Sequence, residues 1–184
     1  MAAFRSRRPE IGSIALSAIA TLYLLMLTNN SFWSRAVAYF DHAWIAMLSL
    51  GVALGLTTFS ILTSLSMKYV MKPVLILLII ISAAASYFTD TFGVVIDKGM
   101  IGNAAVTTEA EAGHLLTGGL ALHVALYALI PSLLIAWVKV RHRRFFAKAA
   151  VNFLFIAPAL VLSGVLIYAN FAGIAYALRE HRDL

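Results

Sequence analysis

The sequence contains no cysteine, and that absence excludes disulfide bonds and every metal site built on thiolates. Charge is also scarce, because Asp, Glu, Lys and Arg together make up 12% of the 184 residues. A soluble domain typically carries about twice that fraction, roughly 25%. The apolar residues are not broken by a polar residue at every third or fourth position, as they would be in a soluble helical bundle. These shortages exclude an ordinary soluble domain.

What the sequence does contain is long apolar runs, and 62% of its residues are hydrophobic. Each run is close to the ~20 residues that a helix needs to cross a bilayer core. Helix is the expected form, because backbone groups in lipid must find their partners within the segment. The predicted fold class is all-α: an integral membrane bundle of about five transmembrane helices plus an amphipathic helix on the outer face. The approximate transmembrane ranges are 11–27, 43–65, 73–88, 115–138 and 149–171, with Pro131 and Pro158 inside the last two.

The positive charges predict the orientation of the chain in the membrane. Cytoplasmic loops carry an excess of Lys and Arg. The side that holds the N-terminus carries ten of these residues: Arg5, Arg7, Arg8, Lys68, Lys72, Lys139, Arg141, Arg143, Arg144 and Lys148. The opposite side carries four: Arg35, Lys98, Arg179 and Arg182. The N-terminus is therefore predicted to be cytoplasmic, on an uncleaved signal-anchor helix, and the C-terminus to lie outside. Charges placed between apolar runs, without interleaved aromatic residues, argue against nucleic acid as a partner.

The outer segment between the third and fourth spans holds the candidate binding residues. A helical stretch is predicted at about 97–113, where Asn103, Thr107 and Glu111 follow at i, i+4 and i+8. Steps of four place the three side chains on one helix face, over about 12 Å. The carboxylate suits a small cation, while the hydroxyl and the amide can donate to an anion, so the face fits a zwitterionic lipid headgroup. On spacing alone, simple solvation of this face is the alternative.

A longer pattern covers this region and a stretch near the end of the chain. Its residues are Tyr87, Phe88, Thr89, Asp90, Thr91, Phe92, Gly93, Val94, Val95, Ile96, Asp97, Lys98, Gly99, Met100, Ile101, Gly102, Asn103, Thr107, Glu111 and Ala112, with Tyr168, Ala169, Asn170, Phe171, Arg179, Glu180, His181 and Arg182 near the end. This pattern resembles the lipid A phosphoethanolamine transferases, which include the mobile colistin-resistance enzymes. The resemblance is strongest from Val94 to Ala112, and with generic helices on either side it covers essentially all of the chain.

The resemblance implies a function. Members of that family move phosphoethanolamine from phosphatidylethanolamine to lipid A at the outer face of the bacterial inner membrane. A soluble sulfatase-like domain does the chemistry with Zn²⁺ and a Thr nucleophile, and the membrane domain contributes an Asn, a Thr and a Glu to substrate binding. By motif position these are Asn103, Thr107 and Glu111. The expected partners are both lipids, the membrane, and the catalytic domain in cis.

The chain contains no residues that match that catalytic domain. It has no metal-spaced Asp/His cluster and no nucleophile beside a base, so we expect no catalytic and no metal-binding residues in it. Transfer by this chain alone is not expected. His123 lies inside an apolar run, where a hydrogen bond to a neighbouring helix is the expected role. The alternative from a different class is a small non-catalytic multipass protein, such as a transporter subunit or an assembly factor, or a truncated gene product.

Overall fold

The computed structural model describes residues 8–40, 43–93, 102, 117–141 and 144–180. Within them a short strand β1 (Glu10–Gly12) precedes α1 (Ser13–Met26), α2 (Asn30–Phe40), α3 (Trp44–Ser64) and α4 (Met71–Phe92). After residues 94–116 come α5 (Gly118–Trp137), strand β2 (Lys139–Arg141), α6 (Phe145–Ala169) and α7 (Phe171–Glu180). The predicted outer helix at about 97–113 lies outside the described residues except for Gly102.

Helices dominate the described residues, and the prediction of an all-α membrane bundle is confirmed. Four helices there are long and apolar enough to cross a membrane, and the bent pair α1–α2 brings the number to five if it counts as one span. For the four single-helix spans, no observed end differs from the predicted end by more than four residues. Apolar side chains such as Leu48, Ile61 and Phe153 are exposed on the outer surface of the bundle, where lipid would cover them.

The first predicted span is the one that differs most in the structure. α1 has 14 residues, so it is about 21 Å long and too short for a core of about 30 Å. The chain then bends by 64° into α2, a helix between the first two predicted spans that the sequence analysis did not predict. The bend follows from the residues after Met26. The Thr28 hydroxyl and the Asn29 amide both donate to the carbonyl of Leu24, at 2.9 Å and 2.7 Å, and so satisfy the open end of α1.

The prolines have different effects in the three helices that contain them. Pro73 lies within the first turn of α4, where a missing N–H costs nothing, so α4 begins at Met71 rather than after the proline. Pro131 in α5 lies two residues after the end of a π-helical turn at Ala125–Leu129. Pro158 is inside α6, which continues as one helix to Ala169. Proline therefore ends none of the predicted spans.

The core of the bundle is built around α4 and around the α3–α6 contact. Leu75, Ile79 and Ala83 on α4 are almost fully buried. Between α3 and α6 the residues are small, and the hydroxyl of Ser163 donates to the carbonyl of Ala53 at 3.1 Å. Small residues let helix backbones approach closely, which is the usual basis of helix association in lipid.

The end of the bundle that carries the N-terminus is closed by a pair of short parallel strands. The register pairs Glu10 with Lys139, Ile11 with Val140, and Gly12 with Arg141. The Lys139 ammonium lies 2.9 Å from the Glu10 carboxylate, and its hydrogen bond and charge lower the pKa of that carboxyl. The helical pattern could not predict this three-residue ladder, which ties the start of α1 to the chain after α5.

Candidate functional site

A cavity of about 530 Å³ lies at the opposite end of the bundle, which is the predicted outer end. It is enclosed by the α1–α2 bend, α2, the start of α3 and the last turns of α4. Its volume falls in the range of about 300–1,000 Å³ that is common for small-molecule sites. Its apolar walls include Phe32, Ala36, Phe40, Leu50 and Ala85.

The bend between α1 and α2 is held against α4 by a pair of hydroxyl groups. The Thr28 and Ser82 hydroxyl oxygens are 2.5 Å apart. Thr28 also donates to the carbonyl of Leu24, so one side chain both ends α1 and contacts α4. Both hydroxyls line the cavity. The cavity therefore has a fixed polar edge at the point where the chain turns.

Two opposite charges lie at the cavity, each held by a residue on the other helix. Asp90 near the end of α4 accepts a hydrogen bond from the hydroxyl of Ser31 on α2. Arg35 on α2 donates from its guanidinium to the carbonyl of Gly93 at 2.8 Å. Ser31, Arg35 and Asp90 all line the cavity. An apolar cavity with one cation and one anion at its edge is complementary to a zwitterionic lipid headgroup.

The described residues on either side of the segment that carries the predicted binding residues are held at the end of α4. Gly93 ends α4 in the left-handed conformation, with φ of 66°, which favours glycine because it has no Cβ. At the other end, Thr117 caps α5 by accepting from the backbone N–H of Leu120 at 3.2 Å. The same Thr117 hydroxyl lies 2.8 Å from the hydroxyl of Tyr87 on α4. Gly93 and Thr117, the described residues before and after the segment 94–116, thus both lie at the outer end of α4.

Asn103, Thr107 and Glu111 lie outside the described residues, so their predicted role in headgroup binding stays a prediction. Sequence reasoning missed Arg35 and Asp90 as a pair. Arg35 was taken as a topology signal, and Asp90 was noted only as part of the family pattern. They are 55 positions apart in the chain, and only the bend after Met26 brings α2 against the end of α4.

A polar contact between α4 and α5 extends the site toward the interior of the bundle. The Ser86 hydroxyl, which lines the cavity, lies 2.9 Å from Nε2 of His123. The His123 ring stacks on Tyr127 with centroids 4.5 Å apart. The prediction that His123 bonds to a neighbouring helix is therefore confirmed. π-turns often occur at functional sites, and the one in α5 includes Tyr127.

No zinc site is formed by the described parts of the chain. Across residues 8–40, 43–93, 102, 117–141 and 144–180 there is no group of three or more His, Cys, Asp or Glu side chains that could hold a metal ion. The resemblance places its zinc ion in a soluble catalytic domain and assigns none of these residues to it.

Comparison with known proteins identifies the family. Residues 53–184 match the sequence profile described as phosphoethanolamine transferase EptA/EptB. The chain is 36% identical over 138 residues to phosphatidylethanolamine transferase Mcr-2 of Escherichia coli, covering 73% of this chain and 26% of that protein. It is 33% identical over 189 residues to phosphatidylethanolamine transferase Mcr-1 of Escherichia coli, covering 95% of this chain and 34% of that protein.

A solved structure shows the same arrangement of helices. The integral membrane lipooligosaccharide phosphoethanolamine transferase A (EptA) from Neisseria meningitidis superposes with a TM-score of 0.86 at 25% identity, over 95% of this chain and 33% of that one. The chain thus spans between 26% and 34% of the length of the relatives it matches. These matches do not favour an unrelated transporter subunit or assembly factor. The chain belongs to the EptA/EptB family of phosphoethanolamine transferases and corresponds to the family's multi-pass N-terminal transmembrane domain.

Proposed function

We propose that this chain is the anchor and lipid-binding domain of an enzyme that moves phosphoethanolamine from phosphatidylethanolamine to lipid A. The reaction takes place at the outer face of the bacterial inner membrane, with the N-terminus cytoplasmic and the C-terminus periplasmic. The observation that carries the proposal is the outer cavity. In a chain of this family, it joins apolar walls to Arg35 and Asp90, and Arg35 contacts Gly93, the last described residue before the segment 94–116.

The cavity supplies the means to hold the donor lipid at the membrane boundary. The glycerol and the first acyl carbons lie against Phe32, Ala36 and Phe40, which keeps them out of water. Arg35 faces the lipid phosphate, because a guanidinium donates several hydrogen bonds to phosphate oxygens. Asp90 balances this charge and keeps Ser31 oriented. The lipid is thereby placed with its headgroup toward residues 94–116.

The outer segment then presents the headgroup for transfer. Glu111 pairs with the ammonium group, while Asn103 and Thr107 donate hydrogen bonds to phosphate or glycerol oxygens. A soluble domain in cis supplies the Thr nucleophile and the Zn²⁺ that the resemblance implies, and no step through zinc is assigned to residues of this chain. Holding the phosphorus in one orientation is the domain's contribution to rate, because orientation removes an entropic cost from the transfer step.

A chimera tests this function. The chain replaces the matched third of Mcr-1 and is expressed in cells whose lipid A carries no phosphoethanolamine, and lipid A is then analysed by mass spectrometry. We expect modified lipid A from the chimera. Glu111→Ala should lower it at least about tenfold through the loss of a charge-assisted contact. Glu109→Ala is the matched control, since it removes the same charge from the same segment, and should leave modification unchanged. Equal loss in both variants at equal membrane abundance would contradict the assignment.

A further inference from the structure

The wall that α4 contributes to the outer cavity carries three polar side chains in a row. Ser82, Ser86 and Asp90 follow at intervals of four residues, so they share one face of α4, and all three line the cavity. Each step of four covers about 6 Å along the helix, so Ser86 and Ser82 lie about one and two turns deeper in the bundle than Asp90. Ser86 is only 5% exposed. The inner part of the cavity is therefore lined by serine hydroxyls as well as by apolar side chains.

The hydroxyl hydrogen of Ser82 is already used in a hydrogen bond. The hydroxyl oxygens of Ser82 and Thr28 are 2.5 Å apart, and Thr28 donates its own hydrogen to the carbonyl of Leu24 at 2.9 Å. A hydroxyl has a single hydrogen, so Ser82 is the donor in its contact with Thr28. Ser82 can therefore offer a ligand in the cavity a lone pair, but no hydrogen.

Ser86 is in the same state, and His123 keeps it there. The Ser86 hydroxyl donates to the carbonyl of Ala83 at 3.0 Å, and its oxygen lies 2.9 Å from Nε2 of His123. Because the hydrogen of Ser86 is used, Nε2 of His123 carries a hydrogen and donates it to Ser86, which keeps one lone pair for the cavity. At the mouth, Ser31 donates to the carboxylate of Asp90, which can only accept. The row along α4 thus consists of acceptors.

Such a row of acceptors distinguishes the two lipids that the proposed transfer interconverts. The glycerol part of phosphatidylethanolamine carries only ester oxygens, which accept hydrogen bonds and cannot donate them. Transfer breaks the bond between phosphorus and the glycerol oxygen. That oxygen keeps the electron pair and takes up the proton that the hydroxyl of the nucleophile gives up, so the lipid left behind is diacylglycerol. Its free hydroxyl is a hydrogen-bond donor that the glycerol part of phosphatidylethanolamine does not have.

We infer that the outer cavity binds diacylglycerol, the second product of the transfer, through the oxygens of Ser82 and Ser86. The inference rests on the proposed function, because the transfer is what produces this lipid. The glycerol hydroxyl donates to one of the two serine oxygens, and the acyl chains lie against apolar walls such as Phe32 and Leu50. His123 is a positioning residue, which acts on the lipid only by holding Ser86 as an acceptor. Diacylglycerol then competes with the next donor lipid for the cavity.

Two lipids that differ only at the hydroxyl test the inference. The purified chain in detergent is mixed with dioleoylglycerol or with its 3-O-methyl ether, which has the same acyl chains and no hydrogen to donate. Native mass spectrometry measures how much of each lipid is retained. We expect about threefold to tenfold more dioleoylglycerol, the effect of one hydrogen bond. Equal retention would overturn the inference, and because no residue is changed in this comparison, a folding defect cannot cause that result.

Substitutions then assign the preference to the two serines. Ser82→Ala should lower the preference for dioleoylglycerol over the ether, Ser82→Ala/Ser86→Ala should abolish it, and Ser82→Thr, which keeps a hydroxyl, should preserve it. The matched control is Ser60→Ala on α3, a buried serine that donates to the carbonyl of Leu56 at 2.7 Å and does not line the cavity. The Tm without lipid shows which variants are folded. An unchanged preference in folded Ser82→Ala, or an equal loss in Ser60→Ala, would contradict the assignment.

The Mcr-1 chimera separates this inference from the proposed function. If the chimera modifies lipid A while the chain retains dioleoylglycerol and its ether equally, the inference is wrong and the proposed function stands. If the chain prefers dioleoylglycerol while the chimera leaves lipid A unmodified, the proposed function is wrong, and the product role of the bound lipid is wrong with it. Modified lipid A together with the preference supports both.

Discussion

The hydroxyl of Tyr23 on α1 donates a hydrogen bond to the backbone carbonyl of Tyr127 on α5, at 2.7 Å. That carbonyl lies four residues before Pro131, which has no N–H to offer it. A proline in a membrane helix thus creates an acceptor, and a tyrosine on another helix satisfies it. This is a direct tie between the first transmembrane helix and the helix that follows the outer segment.

Replacing Tyr23 with Phe should destabilise the bundle, because the carbonyl of Tyr127 loses a donor where water is scarce. Hydrogen bonds between membrane helices contribute about 0.6 kcal/mol on average, and an unpaired buried acceptor costs about 1–3 kcal/mol, so we expect a loss of about 1 kcal/mol. Thermal or denaturant unfolding in detergent measures it. In a Pro131→Ala background the same change should cost less. Equal costs in the two backgrounds would show that the tyrosine and the proline are not coupled.

Gly51 on α3 is predicted to accept no larger side chain. A Cβ at this position would lie 2.6 Å from Cη2 of Trp33, whose indole N–H donates to the carbonyl of Leu25 at 2.6 Å. Gly51→Ala should therefore move the indole and lower stability by about 1–3 kcal/mol through overpacking. Tryptophan fluorescence and the unfolding midpoint report the two effects.

Gly164 on α6 provides the control for that substitution. A Cβ there meets nothing within 4 Å, so Gly164→Ala should be neutral or raise stability by up to about 1 kcal/mol through helix propensity. A second test is Trp33→Phe combined with Gly51→Ala, since the smaller ring should recover part of the loss. If Gly51→Ala were as harmless as Gly164→Ala, the close contact of α2 with α3 would be wrong.

Arg35 and Asp90, the two charged residues at the outer cavity, are predicted to promote the transfer of phosphoethanolamine to lipid A. In the Mcr-1 chimera, Arg35→Gln should lower lipid A modification about tenfold by removing the phosphate contact. Asp90→Asn should lower it less, because the amide can still accept from Ser31. Arg179→Gln removes the same charge at the same predicted end, from a residue that does not line the cavity, and should have no effect. A loss for Arg179→Gln as large as that for Arg35→Gln would point to general surface charge.

The Glu10–Lys139 pair gives a pH dependence with a definite sign. The pKa of the Glu10 carboxyl is lowered below its ordinary value of 4.5, so the folded state favours the ionised form. The stabilisation is present above that value and is lost as pH falls through the lowered pKa. The difference in Tm between the unchanged chain and Glu10→Gln should therefore be largest near neutral pH and shrink in acid. A difference that grew in acid would contradict this pairing.

The sequence was informative where a single rule decides the outcome. Lipid demands long apolar helices, so the spans at Trp44–Ser64 and Gly118–Trp137 could be predicted to within about three residues at each end. The bend after α1 could not be predicted, because it depends on the hydrogen bond between the hydroxyls of Thr28 and Ser82, which are far apart in the sequence. The same limit hid the pairing of β1 with β2, whose contacts join residues more than a hundred positions apart. Hydrophobic periodicity indicates whether a residue's own segment is helical, but it says little about which other segment that residue packs against.

The candidate site likewise has residues that the sequence could indicate and residues that it could not. The family pattern pointed to Asn103, Thr107 and Glu111, whereas the cavity with Arg35 and Asp90 emerged only from the packing of α2 on α4. A pattern at constant spacing is visible in one segment of chain. A pair of charges brought together by a turn is not visible in one segment, because neither residue's position in the sequence indicates the other.

The most direct test of the account is which lipid occupies the outer cavity. The photoreactive residue p-benzoylphenylalanine would replace Phe32, which lines the cavity, or Tyr168 near the same end, which is 85% exposed and does not line it. The chain would be placed in vesicles of equal amounts of phosphatidylethanolamine and phosphatidylglycerol, and the crosslinked lipids identified by mass spectrometry. The account predicts enrichment of phosphatidylethanolamine at position 32 over position 168, and loss of that enrichment with Arg35→Gln. The same lipid mixture at both positions would contradict a donor-lipid site in this cavity.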